Sequence, residues 1–464
     1  MPNISTLEDK FALLTQRVLK EVKPSKEEIE YFNFITNQVM RRLEKVAPKN
    51  VEIMLTGSVA RGTQIRGNSD IDIFLLFPNG LEERKMEFKG IAIAKKIIDR
   101  KKGESYIIKY AEHPYIQLVL KNLGVNIDIV PAYKISNAKE MNSAVDRTPL
   151  HNGFVNNNLS EKQKDEVRVL KSFLKEHNIY GAEAMIEGFS GYLCELLIYH
   201  YGSFFNLIEE MSNFSLPKVI IPKNREEPDK EQVNNYLKKF NSNYIVIDPT
   251  DPDRNVAANV SIESLARFAF FARKLRAHPT LDNFFEKGHS ELHTFERLSK
   301  LRKQLGVDIY LVTTTVKDVA EDIAWQQTKK LMYRINKVLS ESQFTPIIML
   351  QGITEKEVLI AFFINNYEIG TVLREGPSVF NKNAAERFYK AHKGSPIFIH
   401  ADRLYALLRP PYSNPLNLLK GFINDKREKF PKYLSKRNAK VYMNKFNEDY
   451  AKLIYEEYVE KFSL

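Results

Sequence analysis

Short segments of alternating hydrophobic and polar residues characterise the first 150 positions of the chain. They predict four strands, at Val51–Thr56, Ile71–Phe77, Tyr115–Leu120 and Val125–Val130. Residues 7–47 instead follow the helical period, and a further long helix is expected near Glu82–Lys102. Short strands around a helix indicate a small mixed α/β domain that ends near residue 150.

The hydrophobic period becomes helical between residues 161 and 277. Val167, Leu170 and Leu174 recur at helical spacing, and lysine and arginine residues lie on the opposite face. The pattern therefore predicts a mostly helical central domain. Lys218–Asp229 is expected to be a loop within it, because proline, lysine and glutamate are frequent there.

After residue 280, strands are predicted at Val307–Thr313, Pro346–Leu350 and Glu357–Asn365, with a helix at Val319–Leu339. A helix packed on an antiparallel sheet would resemble an RNA-recognition layer. The predicted fold class is therefore α+β multidomain. Its three expected parts are a mixed-sheet domain at 1–150, a helical central domain at 151–277 and an α/β C-terminal region at 278–464.

Composition narrows the class of protein. A chain of 464 residues is too long for one compact core, which supports several domains. No apolar stretch approaches the roughly 18 residues of a membrane-spanning helix, and the N-terminus is too polar for a signal peptide, so we expect no membrane partner and a cytoplasmic location. Cys194 is the only cysteine, which excludes an intramolecular disulfide and a thiolate zinc site, and its apolar surroundings predict a core position.

The charge balance favours a polyanionic partner. Lysine and arginine total 69 against 58 aspartates and glutamates, a formal net charge of +11. Residues 420–445 contain nine of these cations and two acids, interleaved with Phe422, Phe430 and Tyr433. This segment suits RNA backbone contact with aromatic stacking, and a solvated helix face is the alternative. We predict backbone contacts from Lys432, Lys436, Arg437 and Lys440.

The segment Gly57–Thr63 and the acids that follow it carry the clearest chemistry. A strand that ends in Gly-Ser and turns into a helix presents backbone amides and a hydroxyl to an anion, which suits a triphosphate. Residues two apart on a strand share a face, so Asp70 and Asp72 project together. Two adjacent carboxylates repel, and a divalent cation, with Mg²⁺ the natural candidate, relieves the repulsion.

Asp128 supplies a third acid. It alternates with core-facing Ile127 and Ile129 on a predicted strand, and an unpaired carboxylate there implies a functional partner. Taken one at a time, Gly-Ser turns, paired aspartates and an outward aspartate are ordinary structural features. Their combination in this order favours a metal site with Asp70, Asp72 and Asp128 as catalytic ligands.

These motifs resemble the nucleotidyltransferase superfamily that includes DNA polymerase beta, poly(A) polymerases and the CCA-adding enzymes. A closer resemblance, over nearly the whole chain, is to the archaeal, class I CCA-adding enzymes. It is carried by Gly57–Pro78, Glu112–Tyr115, Asp146–His151, Ile179–Glu183, Gly188–Glu195 and Arg254–Asn259.

The resemblance implies a polymerase beta-like catalytic domain that adds C, C and A to the tRNA 3′ end without a template. CTP and ATP would be the substrates, pyrophosphate the product, and two Mg²⁺ ions the cofactors. It assigns the triphosphate to Ser58, Arg61, His151, Lys171 and Tyr180, the nucleotide near its sugar to Thr148, and the base to Arg254.

The alternatives are a poly(A) polymerase-like enzyme and an inactive RNA-binding relative. A homodimer is also left open, and His113 is either a structural histidine or a functional one.

Overall fold

The computed structural model describes residues 6–67, 70–110, 113–222, 228–285, 294–365, 370–409, 411–445 and 447–462. The chain forms two compact units, residues 1–289 and residues 290–464. In the part of the chain that is described, no helix combines the length and the apolar character needed to cross a bilayer.

The first unit contains ten α-helices and eight strands within its described residues. The helices are α1 (Leu7–Val22), α2 (Lys26–Val46), α3 (Gly57–Arg61), α4 (Glu83–Lys96), α5 (Thr148–Asn158), α6 (Glu161–Glu176), α7 (Gly191–Tyr201), α8 (Phe204–Ser212), α9 (Lys230–Phe240) and α10 (Ile262–Ala277). The strands are β1 (Glu52–Thr56), β2 (Asp70–Pro78), β3 (Glu104–Tyr110), β4 (Pro114–Leu120), β5 (Val125–Lys134), β6 (Lys218–Ile220), β7 (Tyr244–Asp248) and β8 (Asp251–Asn255).

A five-stranded mixed sheet of order β1-β2-β5-β4-β3 forms the first layer of this unit. Strands β2 and β5 pair in parallel, and the other neighbours are antiparallel, which confirms the predicted mixed sheet. Ile71, Ile73, Ile127 and Ile129 bury one face of β2 and β5 against α2 and α4. The opposite face buries a smaller cluster of Phe74, Leu76 and Ala132, so its polar side chains are concentrated near the beginnings of β2 and β5.

The predicted helix at Glu82–Lys102 ends early, because α4 stops at Lys96, and β3 was not predicted at all. β3 is an edge strand of the sheet with mostly polar or exposed positions, so it lacks the hydrophobic alternation that reveals a half-buried strand.

The following helices form a second core around α6, α7, α8 and α10, onto which α1 also packs. Cys194 is fully buried in it, which confirms the core prediction. The prediction of a loop at Lys218–Asp229 is wrong at its start, since β6 joins β7 and β8 in a three-stranded sheet. Residues 223–227 lie outside the described residues.

The second unit contains five α-helices and seven strands within its described residues. The helices are α11 (Thr294–Leu305), α12 (Glu321–Glu341), α13 (Lys382–Ala391), α14 (Pro415–Asn424) and α15 (Glu448–Phe462). The strands are β9 (Val307–Thr315), β10 (Ile348–Ile353), β11 (Glu357–Asn365), β12 (Val372–Ser378), β13 (Ile397–His400), β14 (Arg403–Leu408) and β15 (Lys440–Met443).

An antiparallel sheet of order β10-β11-β9-β15 forms the centre of the second unit. Helices α12 and α14 cover one face of it, while α11 and α15 cover the other. This arrangement confirms the predicted helix on an antiparallel layer. The second sheet, of order β12-β14-β13, escaped prediction because many of its positions are exposed, so its hydrophobic pattern is weak.

Candidate active site

The three predicted acids lie together on the open face of the mixed sheet. Asp72 on β2 pairs in register with Asp128 on β5, and Asp70 lies two residues earlier on β2. Residues paired in register share a face, as do residues two apart on one strand. The neighbouring isoleucines point into the core on the other face. The structure therefore brings the three carboxylates to one surface, which we call the acidic edge.

The surroundings of Asp72 disfavour its charged form. Burial, together with the charges of Asp128 and Asp70, raises its pKa to about 6, although the Arg61 guanidinium opposes the rise. Burial also raises the pKa of Asp128. Gln117 Nε2 donates a hydrogen bond of 2.9 Å to this carboxylate, which opposes the rise. Within the described residues, none of the three acids forms an ion pair with a lysine or arginine. A set of oxygen donors without a cationic partner fits a hard divalent cation.

The backbone at Gly57 comes very close to the acidic edge. Gly57 has φ of 75°, and a Cβ built there would lie 1.9 Å from Asp72 Oδ2. A side chain at this position would thus collide with the carboxylate as well as strain the backbone. Ser58 follows in the short helix α3, and its carbonyl accepts a hydrogen bond of 2.9 Å from the Thr63 amide. The turn therefore brings the backbone immediately before Ser58 against Asp72, and the role of Ser58 at the triphosphate stays a prediction.

A buried ion pair lies behind this turn. The Arg61 side chain donates to Glu195 and to Asn152, each over 2.9 Å, and Thr63 Oγ1 donates to Glu195 over 2.5 Å. Arg61 is 8% exposed and Glu195 is fully buried. Lys171, 2% exposed, donates to the Thr63 carbonyl over 3.0 Å. We call these five residues the cradle cluster.

Tyr180 and Lys171 meet above Gly191. A Cβ built on Gly191 would lie 3.2 Å from the Tyr180 hydroxyl and 3.5 Å from Lys171 Nζ. Burial lowers the pKa of Lys171 and raises that of Tyr180, because the interior disfavours the charged form of each. The absence of a side chain at Gly191 therefore lets the two predicted phosphate-binding residues approach α7.

His151 and Arg254 converge on Asp248. His151 Nε2 lies 3.0 Å from Asp248 Oδ2, and Arg254 Nη1 donates to the same oxygen over 2.9 Å. The Tyr192 ring stacks on His151 at 3.8 Å between centroids, and its hydroxyl donates to Asp248 over 3.1 Å. Burial lowers the pKa of His151, which favours its neutral form near neutral pH. We call these four residues the histidine cluster.

Thr148 is the first residue of α5, three positions before His151. Side chains three apart on a helix lie on the same face, so Thr148 is one turn away from the histidine cluster. Arg147 beside it is tied to Asp251 by an ion pair of 3.0 Å.

The basic segment at 420–445 lies in the second unit, and its structure corrects part of the prediction made for it. Phe422 is buried in the core below the antiparallel sheet, and Phe430 packs beside it, so these two rings are not free to stack on bases. Lys432, Arg437 and Lys440 are exposed. Lys436 is half-buried and donates to the carbonyls of Asp425 and Glu428.

The sequence interpretation missed Glu195, Asp248, Tyr192, Asn152 and Thr63. Two of them carried a recognisable signal, since Glu195 is the only charged residue in α7 and Asp248 ends the apolar run of β7. A lone acid in an apolar element implies a buried partner. Nothing in the pattern identified that partner as Arg61 or His151.

Three family models match consecutive parts of the chain. A model described as "Nucleotidyltransferase domain" matches residues 36–151, one described as "tRNA nucleotidyltransferase, second domain" matches residues 165–286, and one described as "CCA-adding enzyme, C-terminal domain" matches residues 306–454. The first match confirms the predicted nucleotidyltransferase fold of the mixed-sheet region, a fold that generally uses divalent metal ions.

Curated archaeal proteins are similar over most of the chain. The CCA-adding enzyme of Methanocaldococcus jannaschii is 37% identical over 442 residues, covering 92% of this chain and 94% of that protein. The enzyme of Archaeoglobus fulgidus is 34% identical, covering 87% of each. That of Methanococcus maripaludis strain C7 is 32% identical, covering 94% of this chain and 97% of the relative.

Proposed function

Because this chain belongs to the family of archaeal CCA-adding enzymes, we propose that it adds C, C and A to the 3′ end of tRNA at its acidic edge. CTP and ATP are the nucleotide substrates and pyrophosphate is released. The tRNA 3′-hydroxyl attacks the α-phosphate in line, with no covalent enzyme intermediate. The relatives that support this proposal extend over more than four fifths of the chain.

The parallel pairing of Asp72 with Asp128, with Asp70 on the same face, is the observation that carries the proposal. We propose Mg²⁺ as the ion held by Asp70, Asp72 and Asp128, since all three donors are hard carboxylate oxygens. When bound, Mg²⁺ supplies Lewis-acid activation of the hydroxyl and neutralises charge on the phosphates. The elevated pKa of Asp72 supports this assignment, because burial and the neighbouring carboxylates disfavour its charged form, and a bound cation would offset both effects.

We place the triphosphate above α3, with Ser58 at its edge. Arg61 and Lys171 are buried and already hydrogen-bonded, so their charges act on the phosphates mainly through the protein interior. Electrostatic attraction is stronger across such low-dielectric regions than across water. The Tyr180 hydroxyl and Lys171 Nζ both lie beside Gly191, so we place Tyr180 with Lys171 on the triphosphate side of α7.

The histidine cluster is the proposed site of nucleotide recognition. Arg254 is about one-third exposed, and its guanidinium is held in place by buried Asp248, so a planar donor is presented in a fixed direction. His151 joins the same carboxylate and contacts the triphosphate, while Thr148 lies near the sugar. Fixed donors of this type discriminate between base edges better than mobile ones.

Product analysis tests the proposed activity. A tRNA that ends before CCA is incubated with the full chain and Mg²⁺, with each nucleotide alone and with CTP and ATP together, and the products are sequenced. We expect C-C-A only when both nucleotides are present. Long runs of A would identify a poly(A) polymerase-like enzyme. Unextended tRNA that nevertheless binds would identify an inactive RNA-binding relative.

Three further proposals concern organisation. Boundaries near residues 150 and 277 divide the chain into catalytic, central and C-terminal domains, a division supported by the three consecutive family models. The molecule works in the cytoplasm, where tRNA is processed, and a homodimer is a possible form of it. Light scattering of the purified chain would decide between monomer and homodimer, and limited proteolysis would test the boundaries.

A further inference from the structure

Glu83, Glu87 and His113 form a compact group away from the acidic edge. The glutamates lie one turn apart on α4, and His113 immediately precedes β4. His113 Nδ1 is 3.0 Å from a Glu87 carboxylate oxygen and 3.5 Å from a Glu83 carboxylate oxygen. Each of these three residues, all in the described part of the chain, offers one potential metal-ligand atom. The three atoms lie within 4.8 Å of one another.

Hydrogen bonding alone does not account for this arrangement. A single Nδ1–H can donate well to one carboxylate, yet two approach it. Among the described residues, neither Glu83 nor Glu87 forms an ion pair with a lysine or arginine. The side chain of His113 is fully buried, and its Nε2 atom makes no hydrogen bond within the described residues. The polar interactions of the ring are therefore directed at the two carboxylates.

We propose that Glu83, Glu87 and His113 bind one zinc-class transition-metal ion. Metal–ligand distances of about 2.0 to 2.2 Å in a tetrahedral site separate the ligand atoms by about 3.3 to 3.6 Å. His113 Nδ1 lies 3.0 and 3.5 Å from the two glutamate oxygens, which is close to that spacing, and all three ligand atoms lie within 4.8 Å of one another. An imidazole nitrogen with carboxylates suits Zn²⁺ better than Mg²⁺, unlike the all-oxygen acidic edge. Three protein ligands leave one position open, on the side where Glu83 is largely exposed.

The bound ion would connect α4 to the start of β4. His113 lies two residues before Tyr115, and Tyr115 lies on the same face of β4 as Gln117, whose side chain donates to Asp128. The metal would thus fix the strand end that brings Tyr115 to the acidic edge. The assignment of this metal site does not rest on the proposed function, because zinc binding can be measured without turnover.

The test measures Zn²⁺ binding to the full chain by titration calorimetry. An Asp72→Asn/Asp128→Asn background removes donors from the acidic edge, so ions bound there do not obscure the result. We expect one Zn²⁺ per chain in this background, and at least tenfold weaker binding after a further Glu87→Gln or Glu83→Gln change. Glu82→Gln is the matched control, because Glu82 is an adjacent exposed glutamate that pairs with Lys85.

Thermal unfolding provides a second readout. Zn²⁺ should raise the Tm of the background protein and of its Glu82→Gln form, but not that of the Glu87→Gln form. Circular dichroism without zinc would establish that each variant is folded. The assignment is wrong if Glu87→Gln and Glu83→Gln bind Zn²⁺ as tightly as the control, or if the background protein binds none.

Discussion

The acidic edge and the cradle cluster are adjacent, yet they handle charge in opposite ways. At the acidic edge, three carboxylates face one another, and the pKa of Asp72 rises to about 6. In the cradle cluster, the Glu195 carboxylate accepts hydrogen bonds from Arg61 and Thr63 in the protein interior. Within the described residues, Asp72 thus forms no ion pair, whereas Glu195 forms one with Arg61.

The difference indicates which charges serve a ligand and which serve the fold. A buried charge with an internal partner is costly to unpair, so its replacement should affect stability. Like charges held together without an oppositely charged partner destabilise the folded state. Their retention therefore implies that a ligand supplies the opposite charge. Arg61 links the two regions, because it pairs with Glu195 while its charge also lowers the pKa of Asp72.

The largest expected effect is on activity. Asp128→Asn should reduce nucleotide addition by roughly 10³-fold or more, since losing a metal ligand removes several kcal/mol of transition-state stabilisation. The free energy of unfolding should not fall, because a repulsive charge has been removed. Primer-extension rates on tRNA and urea unfolding would measure the two effects. Glu52→Gln, which alters an exposed carboxylate at the start of neighbouring β1, is the control and should keep normal activity.

Near-normal turnover by Asp128→Asn would remove it from the set of metal ligands. A large loss of stability would instead show that the carboxylate has an internal cationic partner, which would contradict the contrast between the two regions.

Glu195→Gln, unlike Asp128→Asn, should lower the free energy of unfolding. It leaves the Arg61 guanidinium buried without a counter-charge, which should lower the free energy of unfolding by about 3 to 5 kcal/mol. Replacing both members, as Arg61→Met with Glu195→Leu, should cost less than the sum of the single changes. Wild type, Arg61→Met, Glu195→Leu and the double variant form the double-mutant cycle, which urea unfolding measures. Additive losses would mean that the pair is not coupled.

The pH dependence of stability should differ in sign between Asp72 and Asp248. The folded-state pKa of Asp72 is raised to about 6, so ionising it weakens the folded state as pH rises from about 4 to 6, by up to roughly 3 kcal/mol. Asp72→Asn should therefore gain stability over wild type at pH 7 and match it near pH 4. Unfolding measured without divalent ions tests this, and added Mg²⁺ should erase the gain.

The pKa of Asp248 is lowered despite its burial, because His151 and Thr250 donate hydrogen bonds to it. Its contribution to stability is present above the unfolded pKa near 4 and is lost as pH falls through the lower folded value. Asp248→Asn should thus be less stable than wild type at pH 7, and the gap should close in acid. If both variants shifted in the same direction, the local charge environments would have been misassigned.

A smaller effect is expected on nucleotide choice. Arg254→Ala should raise misincorporation of UTP or GTP about tenfold relative to CTP and ATP, because one planar donor worth about 1.4 kcal/mol is lost from the base site. Competition assays with all four nucleotides would measure it. Lys239→Ala, which breaks an exposed ion pair with Asp253, is the control. Equal losses for every nucleotide would make Arg254 a phosphate contact instead.

The smallest effects concern exposed cations of the second unit. Replacing Lys432, Arg437 and Lys440 by alanine should each make the salt dependence of tRNA affinity shallower by up to one unit of slope. Lys436→Ala should instead lower stability, because Lys436 donates to two backbone carbonyls. Filter binding across a salt series and thermal melts separate the outcomes. An unchanged slope in the triple variant would move the RNA contact elsewhere.

Much of the fold was determined locally, and for this reason the sequence predicted it. Alternation around Ile71 and Ile127 fixed which face of β2 and β5 is buried, and this placed Asp70, Asp72 and Asp128 on the other face. β11 occurs at Glu357–Asn365 as predicted, because its long apolar run permits little else. The motifs around these elements were sufficient to indicate the family.

Only the tertiary structure decided which charges are paired. Arg61 and Glu195 are 134 positions apart, and Asp248 meets His151 across 97, so no local period connects them. The position of Phe422 was also decided by the tertiary structure. The basic residues around it predicted a nucleic-acid surface, but its ring is packed in the core. Periodicity reports whether a side chain faces the interior. The identity of its partner depends on how distant segments fold together, and that is not encoded in any one segment.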